Sequence, residues 1–311
     1  MARESRFVIR PFNPKADFST LTQLHNEAAK ADSGTSTTET EQRELKELYE
    51  QHGQFWQWIL ELPQTETRAL IAYASLFKQA ETPYGEFSLM VHPEFRQQRL
   101  ESPLLRAIVE EARVQQAQYI SALIDAQHKY LQTFLLSQGF KTEGGYRAMQ
   151  MDFVAPLPTP TFPAGFVLRT YDQVNDIKIL VDITNRGWSD LSGHKIASEE
   201  TIDWINHQPY NGIFLLFNPE NKVIGCTSAK INQDDQGQLD SPGLAPEHRQ
   251  PEMYRAMALA GLQYLIKQSC KAVKLESWGD YDSTIATYTE LGFQTTIHEI
   301  GYRLDLPGVS I

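Results

Sequence analysis

The chain repeats itself, and this repetition constrains its fold more than any other feature of the sequence. Residues 91–96 (VHPEFR) return as 244–249 (LAPEHR), and residues 138–140 (QGF) return as 291–293 (LGF). In both echoes the second copy follows the first by 153 positions. Because a fixed internal period indicates a repeated structural unit, we interpret the protein as a tandem duplication.

A proline-rich segment separates the two copies. Residues 154–165 (VAPLPTPTFPAG) contain four prolines, which disfavour helix and sheet interiors and favour an extended connection. We therefore expect an N-terminal domain over 1–153, a linker over 154–165 and a C-terminal domain over 166–311. Each domain has about 150 residues, which is within the usual size range of a folding unit.

Composition and charge exclude several classes of protein. Apolar residues make up 41% of the chain and charged residues 22%, as in globular rather than disordered proteins. The sequence has no apolar run of the roughly 18 residues that span a bilayer, and its first six residues lack the apolar core of a signal peptide. We therefore expect a cytoplasmic protein without a membrane partner.

The net charge of −11 argues against a nucleic-acid partner, because phosphate binding depends on Lys and Arg. Cys226 and Cys270 are too few for a disulfide framework or a metal cage, so we read both as packed thiols and expect no metal.

Hydrophobic periodicity predicts the same plan of elements in both halves. In the first half we expect a helix that starts near Glu41 and continues towards Phe55, Trp56 and Trp58. The other elements predicted there are strands at 6–10, 69–77, 86–91, 119–124 and 146–153 and helices at 18–31, 104–112 and 129–138. In the second half we predict strands at 166–170, 213–217, 223–231, 272–276 and 298–306 and helices at 174–188, 199–206 and 252–268.

The stretch 240–293 of the second copy is where function is to be sought. Its order is strand, tight turn, helix, strand, helix. This order places a helix N-terminus, with its unpaired backbone N–H groups, just beyond the end of a strand, where α/β proteins tend to bind anionic ligands. Residues 244–249 lead into the first helix, and Tyr288 stands four residues before Gly292.

This stretch resembles the acetyl-CoA-binding core of the GNAT acyltransferase superfamily, in which a strand end leads through an arginine turn into a helix and a Y-x-x-x-G-F element follows. The resemblance implies an α/β (α+β) fold of two GNAT-like domains in tandem, each a mixed, mostly antiparallel sheet flanked by helices. It also implies acetyl-CoA as the co-substrate. By the same resemblance, the cofactor-binding residues are Leu244, Ala245, Arg249, Gln250, Pro251, Glu252, Met253, Tyr254 and Arg255.

The turn departs from the family pattern R-x-x-G-x-G/A at both glycine positions. These positions hold Glu252 and Tyr254 in the second copy, and Arg99 and Glu101 in the first. Glycine there lets the backbone approach the phosphates closely. A glutamate in the first helical turn is instead favoured by the helix dipole, by roughly 0.3–1 kcal/mol, and repels a pyrophosphate.

Tyr288 is the candidate general acid. In the resembling family a tyrosine at this spacing lies near the sulfur of CoA, where its O–H protonates the departing thiolate. The alternative is a tyrosine that only packs under the last helix. The matching position of the first copy is Leu135, which donates no proton, so we expect the N-terminal domain to be non-catalytic.

Two carboxylates are the candidate general bases for the incoming ammonium, since the family uses carboxylates on the strand before the turn. Asp240 is the first candidate, and Glu276 on the adjacent strand is the second. The alternative is that these groups are solvated or cap a helix. The backbone N–H of Leu244 or Ala245 is the candidate donor to the thioester oxygen.

Tryptophans occupy the part of the fold that forms the acceptor groove in the family. Trp56 and Trp58 lie in the predicted helical region of the first half, and Trp188 and Trp204 in that of the second. Trp188 and His194 flank a loop and are candidates for lining a pocket. The alternative is that the tryptophans belong mainly to the core.

The resemblance implies CoA-dependent N-acyl transfer, with acetyl as the expected group, by the C-terminal domain to a small-molecule or peptide amine. The rival interpretation is a catalytically silent binding or scaffold protein that kept the fold and lost the pyrophosphate loop. A hydrolase has no support, because no nucleophile-elbow motif positions a serine.

Overall fold

The chain forms two compact units that do not coincide with the two sequence repeats. The computed structural model describes residues 7–32, 38–62, 70–80, 82–96, 98–154, 156–191, 196–199, 202, 210–232, 236–279 and 281–307. Unit 1 comprises Met1–Thr142 together with Gly301–Ile311, and unit 2 comprises Glu143–Ile300. Residues 143–153, at the end of the first repeat, are therefore counted with unit 2, and residues 301–311, at the end of the second repeat, with unit 1. The boundary of the repeats at 154–165 stays a prediction.

Unit 1 is a mixed sheet with helices. Its strands pair in chain order, antiparallel up to the fourth strand and parallel between the fourth and fifth. The strands are β1 (Val8–Pro11), β2 (Gln54–Glu61), β3 (Leu70–Lys78), β4 (Tyr84–Val91) and β5 (Tyr119–Asp125). The helices are α1 (Pro14–Asp32), α2 (Glu39–His52), α3 (Glu101–Val114) and α4 (Lys129–Ser137).

The helices of unit 1 bury the apolar faces that the sequence predicts. Phe18, Leu21 and Leu24 of α1 form one core cluster with Ile59 and Tyr73 of the sheet. Leu104 and Ile108 of α3 are fully buried as well. The spacing of three and four residues places these side chains on one face of each helix, and that face lies against the sheet.

Unit 2 repeats this plan. The strands are β6 (Lys141–Asp152), β7 (Val167–Thr170), β8 (Ile213–Phe217), β9 (Val223–Ile231), β10 (Gly237–Asp240), β11 (Gly243–Leu244), β12 (Ala272–Trp278) and β13 (Gln294–Asp305). Strand β6 belongs to unit 2 from residue 143 onward and β13 up to residue 300. The strand order is β7, β8, β9, β10, β12 and β6, and β11 pairs with β9. The helices are α5 (Tyr171–Val174), α6 (Ile177–Trp188), α7 (Pro251–Lys267) and α8 (Asp282–Leu291).

In unit 2 the β10–β12 pair is parallel, whereas β7–β8, β8–β9, β9–β10 and β6–β12 are antiparallel. Helices α7 and α8 pack on the sheet through a core that includes Leu239, Leu262, Leu275 and Tyr288. Helix α6 packs a separate core against β8 and β9, with Ile183, Leu215 and Cys226 among its residues. The predicted mixed, mostly antiparallel sheet flanked by helices is confirmed.

One predicted element is wrong. The helix expected to continue towards Trp58 ends at His52, and residues 54–61 form strand β2, which pairs with β3 from Gln54↔Lys78 onward. Aromatic and β-branched side chains fit a pleated surface better than a helix. Trp56 and Trp58 are thus strand residues rather than helical ones.

Other expectations fall where the structure gives no description. Trp204, His194 and all but a few residues of the predicted helix 199–206 lie outside the described residues. Across the described ranges, no helix is long and apolar enough to cross a membrane.

Candidate active site

Two parallel strands part at the centre of unit 2. The pairing of β10 with β12 ends at Asp240↔Glu276. Beyond that point β11 pairs with β9 instead, at Gly243↔Cys226, while the end of β12 pairs with β6. The facing edges of β11 and β12 therefore make no ladder with each other, which leaves backbone groups there for an extended ligand.

The backbone of β11 offers one of the two predicted oxyanion donors. The N–H of Ala245 donates to the carbonyl of Ile224 at 2.9 Å, so it is already used by the sheet. Because successive N–H groups of a strand point to opposite edges, the N–H of Leu244 points away from β9, towards the side where the strands part. Of the pair, only Leu244 keeps an amide for an oxyanion.

The start of α7 has few backbone donors to offer. Pro251, its first residue, has no N–H, and the N–H groups of Met253 and Tyr254 both reach the carbonyl of Gln250, at 3.0 and 3.2 Å. Gln250 is the N-cap residue and its side chain makes no capping hydrogen bond. The Glu252 side chain is exposed in this turn, where its charge faces any anion that approaches.

The predicted cofactor residues divide into two groups. Met253 and Tyr254 are buried in a core cluster with Leu244, so their side chains face the protein interior. Gln250, Pro251 and Glu252 lie at the surface of the turn. Arg255 is partly exposed, and its guanidinium lies 3.9 Å from the carboxylate of Glu290. Only the surface group presents side chains to a phosphate at the helix start.

The arginine of the repeated motif holds the turn itself. Arg249 donates through Nε to the carbonyl of Leu244 at 2.9 Å, and through its terminal nitrogens to the carbonyl of Gly187 at 3.1 Å and to Asp190 at 2.5 Å. Arg96 in unit 1 likewise donates to the carbonyl of Val91, at 3.3 Å. The arginine in each copy therefore has a structural role, because it holds the turn, and this role requires no ligand.

Tyr288 lies next to the point where β10 and β12 part. It is fully buried and packs edge-on against Phe293. Its hydroxyl lies 2.8 Å from Oγ of Ser241, the residue that follows the Asp240↔Glu276 pair. The corresponding Leu135 of unit 1 is also fully buried but apolar. Ser241 was not predicted, since no sequence pattern marks a hydroxyl that is 47 residues away from its partner.

Asp240 and Glu276 lie on the opposite face of the sheet from Tyr288. Neighbouring residues of a strand point to opposite faces, and Leu239 and Leu275 belong to the core cluster of Tyr288. The two carboxylates are register partners on adjacent strands. The structure thus brings the two predicted bases together, on the face that α7 and α8 do not cover.

The environments of the two carboxylates differ. Burial raises the pKa of Asp240, opposed by a hydrogen bond from the hydroxyl of Ser228 and by the charge of Lys230. Glu276 is exposed. Desolvation, followed by the charge and hydrogen bond of Glu276, raises the pKa of Tyr146 to about 12. A raised pKa makes Asp240 a better proton acceptor near neutral pH than a solvated aspartate.

The equivalent region of unit 1 is filled by protein. Glu101, at a glycine position of the family pattern, is buried and accepts a hydrogen bond from the hydroxyl of Tyr130. Arg99, at the other position, adopts φ +60°, a left-handed conformation that favours glycine. This turn therefore has large side chains at both positions where the family pattern has glycine.

Comparisons with known proteins agree with this architecture. Residues 6–141 match the model described as "Acetyltransferase (GNAT) domain", and residues 177–293 match "Acetyltransferase (GNAT) family". A mycothiol acetyltransferase of Thermobispora bispora is 24% identical over 242 residues, covering 75% of this chain and 80% of the relative. One from Mycobacterium sp. (strain MCS) is 24% identical over 270 residues, covering 79% and 86%.

Solved structures share the fold. A GCN5-related N-acetyltransferase from Sphaerobacter thermophilus aligns with a TM-score of 0.70 at 17% identity, covering 99% of this chain and 98% of the other. A tandem GNAT protein from the clavulanic acid biosynthesis pathway aligns with a TM-score of 0.55 at 16% identity, covering 96% and 98%. At these identities the likeness concerns the fold alone.

Proposed function

The chain belongs to the GNAT acetyltransferase family as a protein with two such domains in tandem, and from this premise we propose that it transfers an acetyl group from acetyl-CoA to an amine at a site in unit 2. One observation carries the choice of unit. In unit 2 the hydroxyl of Tyr288 lies at the point where β10 and β12 part, whereas unit 1 has Leu135 at the matching position and Glu101 and Tyr130 beside its turn.

Acetyl-CoA would be held by the backbone along the facing edges of β11 and β12 and by the surface residues of the turn, Gln250, Pro251 and Glu252. Acetyl-CoA supplies an activated thioester. The N–H of Leu244 stabilises the negative charge that develops on the thioester oxygen. Glu252 opposes the pyrophosphate, so we expect the binding of acetyl-CoA to be weaker than a glycine-rich turn would allow.

Acid and base act from opposite faces of the sheet in this proposal. Asp240 or Glu276, on one face, accepts a proton from the ammonium of the acceptor, directly or through water. The neutral amine attacks the acetyl carbon and forms the new C–N bond, and the C–S bond then breaks. The nitrogen loses its second proton to water, and Tyr288, on the other face, donates its hydroxyl proton to the departing thiolate. Ser241, 2.8 Å from the Tyr288 hydroxyl, can relay a proton from water back to the tyrosinate.

The acceptor is proposed from charge and from the relatives. Asp240 and Glu276 are register partners on the proposed acceptor side, and their two carboxylates favour a cationic amine. The acceptor amine of the mycothiol acetyltransferases is the first to test, because proteins with that name match most of this chain. Other small-molecule and peptide amines follow.

Calorimetry with acetyl-CoA is the first experiment. The unmodified protein, Glu252→Gly and Glu101→Gly are compared, and the expected result is one binding site that only Glu252→Gly strengthens. Amine acceptors are then screened for release of free thiol. Absence of binding in the unmodified protein, with binding gained in Glu252→Gly, would favour the second candidate: a GNAT-fold binding or scaffold protein, for which the shortage of amide donors at the start of α7 is the supporting observation.

A further inference from the structure

An aspartate that no sequence motif marks joins the two sides of the parted strands in unit 2. Asp190 lies just beyond the end of α6. Its Oδ2 accepts a hydrogen bond from Arg249 at 2.5 Å and another from the hydroxyl of Tyr281 at 2.9 Å. Arg249 belongs to the turn between β11 and α7, and Tyr281 is the N-cap residue of α8. One carboxylate oxygen thus contacts both sides.

A related arrangement occurs in unit 1. Asp32, the last residue of α1, accepts from both terminal nitrogens of Arg96, at 2.7 and 2.6 Å. Nε2 of His128, the N-cap residue of α4, lies 3.4 Å from the same aspartate but makes no hydrogen bond to it. An aspartate at a helix C-terminus is disfavoured by the helix dipole, so the Arg96 partnership is what makes Asp32 acceptable there.

The two arrangements correspond at two of their three residues. Arg249 follows Arg96 by 153 positions and Tyr281 follows His128 by the same 153, whereas Asp190 follows Asp32 by 158. The copies have diverged at the general-acid position, where Tyr288 corresponds to Leu135. Both have an aspartate bonded to the turn arginine, and only in unit 2 does that aspartate also accept a hydrogen bond from the residue that starts the last helix.

The contacts of Arg249 extend the connection into the sheet. The same guanidinium donates to the carbonyl of Leu244, whose N–H is the proposed oxyanion donor. On the other side, Tyr281 begins the helix that carries Tyr288, seven residues or about two turns further on. Hydrogen bonds to Arg249 and Tyr281 hold the pKa of Asp190 below its usual range, so the carboxylate is ionised at neutral pH.

We propose that Asp190 is a positioning residue for acetyl transfer in unit 2: by holding Arg249 and Tyr281 together, it sets the distance between the amide of Leu244 and the hydroxyl of Tyr288. This role rests on the proposed function. Asp190 does not contact the reacting atoms itself. The Asp190 side chain is 46% exposed, and Arg249 keeps its bonds to the carbonyls of Leu244 and Gly187 without it, so the loss of Asp190 affects turnover more than folding.

The test compares three full-length variants. Asp190→Asn removes the charge that joins the two sides. Asp32→Asn makes the same change at the matching place in unit 1, and Asp182→Asn removes an exposed ion pair with Arg186 on α6 of unit 2. Each variant is measured for kcat and for the KM of acetyl-CoA, and for hydrogen exchange in residues 281–288.

Asp190→Asn is expected to lower kcat by about 10- to 100-fold, the size of effect that a small misplacement of catalytic groups produces. The KM of acetyl-CoA changes far less, and the first turn of α8 exchanges faster. Asp32→Asn and Asp182→Asn leave kcat and the exchange of this turn unchanged. Tyr281→Phe, which keeps the ion pair with Arg249, gives a smaller loss of kcat in the same direction.

Two results would overturn the proposal. One is an equal loss of kcat in Asp190→Asn and Asp182→Asn, which would mean that any ion pair in this unit has the same effect. The other is exchange of residues 281–288 in Asp190→Asn that is as slow as in the unmodified protein. An unmodified protein that acetylates no amine, combined with faster exchange in Asp190→Asn, would overturn the proposed function and still support the connection made by Asp190.

Discussion

The hydroxyl of Tyr288 and Oγ of Ser241 lie 2.8 Å apart in the interior of unit 2. Ser241 directly follows the last paired residue of β10, and Tyr288 comes from the middle of α8. The contact places a titratable hydroxyl at the point where two parallel strands separate. Unit 1, with Leu135 at the matching position, has no such hydroxyl there.

Tyr288→Phe should lower turnover strongly without unfolding the protein. The change removes the proposed proton donor and keeps the aromatic ring in its core. We expect kcat to fall by about 100-fold or more, the contribution that general acid catalysis usually makes. Tyr264→Phe is the matched control, since it removes another tyrosine hydroxyl of unit 2 that bonds to Asn211 at the surface. Equal activity of Tyr288→Phe and the unmodified protein would rule out the general-acid role.

Glu252→Gly should tighten the binding of acetyl-CoA. Removing an exposed carboxylate from the first turn of α7 relieves repulsion of the pyrophosphate and allows closer approach of the backbone. We expect Kd to fall by about tenfold, which corresponds to about 1.4 kcal/mol. Calorimetry measures this change directly.

Glu101→Gly introduces a glycine at the other glycine position of the pattern, in the turn of unit 1, and its effect should be on stability instead. The Glu101 carboxylate is buried and accepts a hydrogen bond from Tyr130. Its removal leaves the hydroxyl of the half-buried Tyr130 with one acceptor fewer, at a cost of about 1 kcal/mol. Denaturant unfolding measures this loss. A gain of acetyl-CoA binding in Glu101→Gly would contradict the assignment of the site to unit 2.

Asp240→Asn should stabilise the protein at neutral pH and slow transfer. Burial raises the pKa of Asp240 in the folded state above its unfolded value. The folded state therefore binds this proton more tightly, and the stability that it contributes is complete below the unfolded pKa of about 3.9 and is lost as pH rises through the folded pKa. Asparagine does not titrate.

The stability advantage of Asp240→Asn over the unmodified protein should therefore grow as pH increases from about 4 towards 7. Unfolding by denaturant at several pH values measures it. An advantage that is independent of pH would show that Asp240 does not titrate with a raised pKa. Glu276→Gln is the companion variant, and the one of the two that loses more activity identifies the principal base.

Gly243→Ala should destabilise unit 2. A Cβ atom at this position would lie 2.7 Å from atoms of the Trp188 ring, because α6 packs directly on β11. Overpacking of this kind typically costs about 1–3 kcal/mol. Urea unfolding measures the cost, and Trp188→Leu in the same chain should recover part of it. An undiminished cost in the double variant would exclude the contact with Trp188 as its cause.

The repeats and most of the elements could be predicted because their signals are local. An apolar residue every three or four positions indicates which face of α3 is buried, whatever that face packs against. Pro251 at the start of α7 and the turn residues 218–221 between β8 and β9 act over a few residues. The prediction that the helix continues towards Trp58 was wrong because aromatic residues fit both a helical and a strand pattern over so short a run.

The sequence by itself determined the duplication and the order of most strands and helices. It also determined that a carboxylate, Asp240, lies at a strand end and that a tyrosine hydroxyl, Tyr288, lies on the last helix. Only the tertiary structure decided that residues 143–152 pair with β12 in unit 2 and that the N–H of Ala245 donates to the carbonyl of Ile224. It also decided that Ser241 contacts Tyr288 and that Asp190 contacts Arg249. Periodicity states which face of an element is buried but not which partner covers it. Those partners lie 59 residues apart for Asp190 and Arg249, and such pairs are selected by packing of the whole chain rather than by any local pattern.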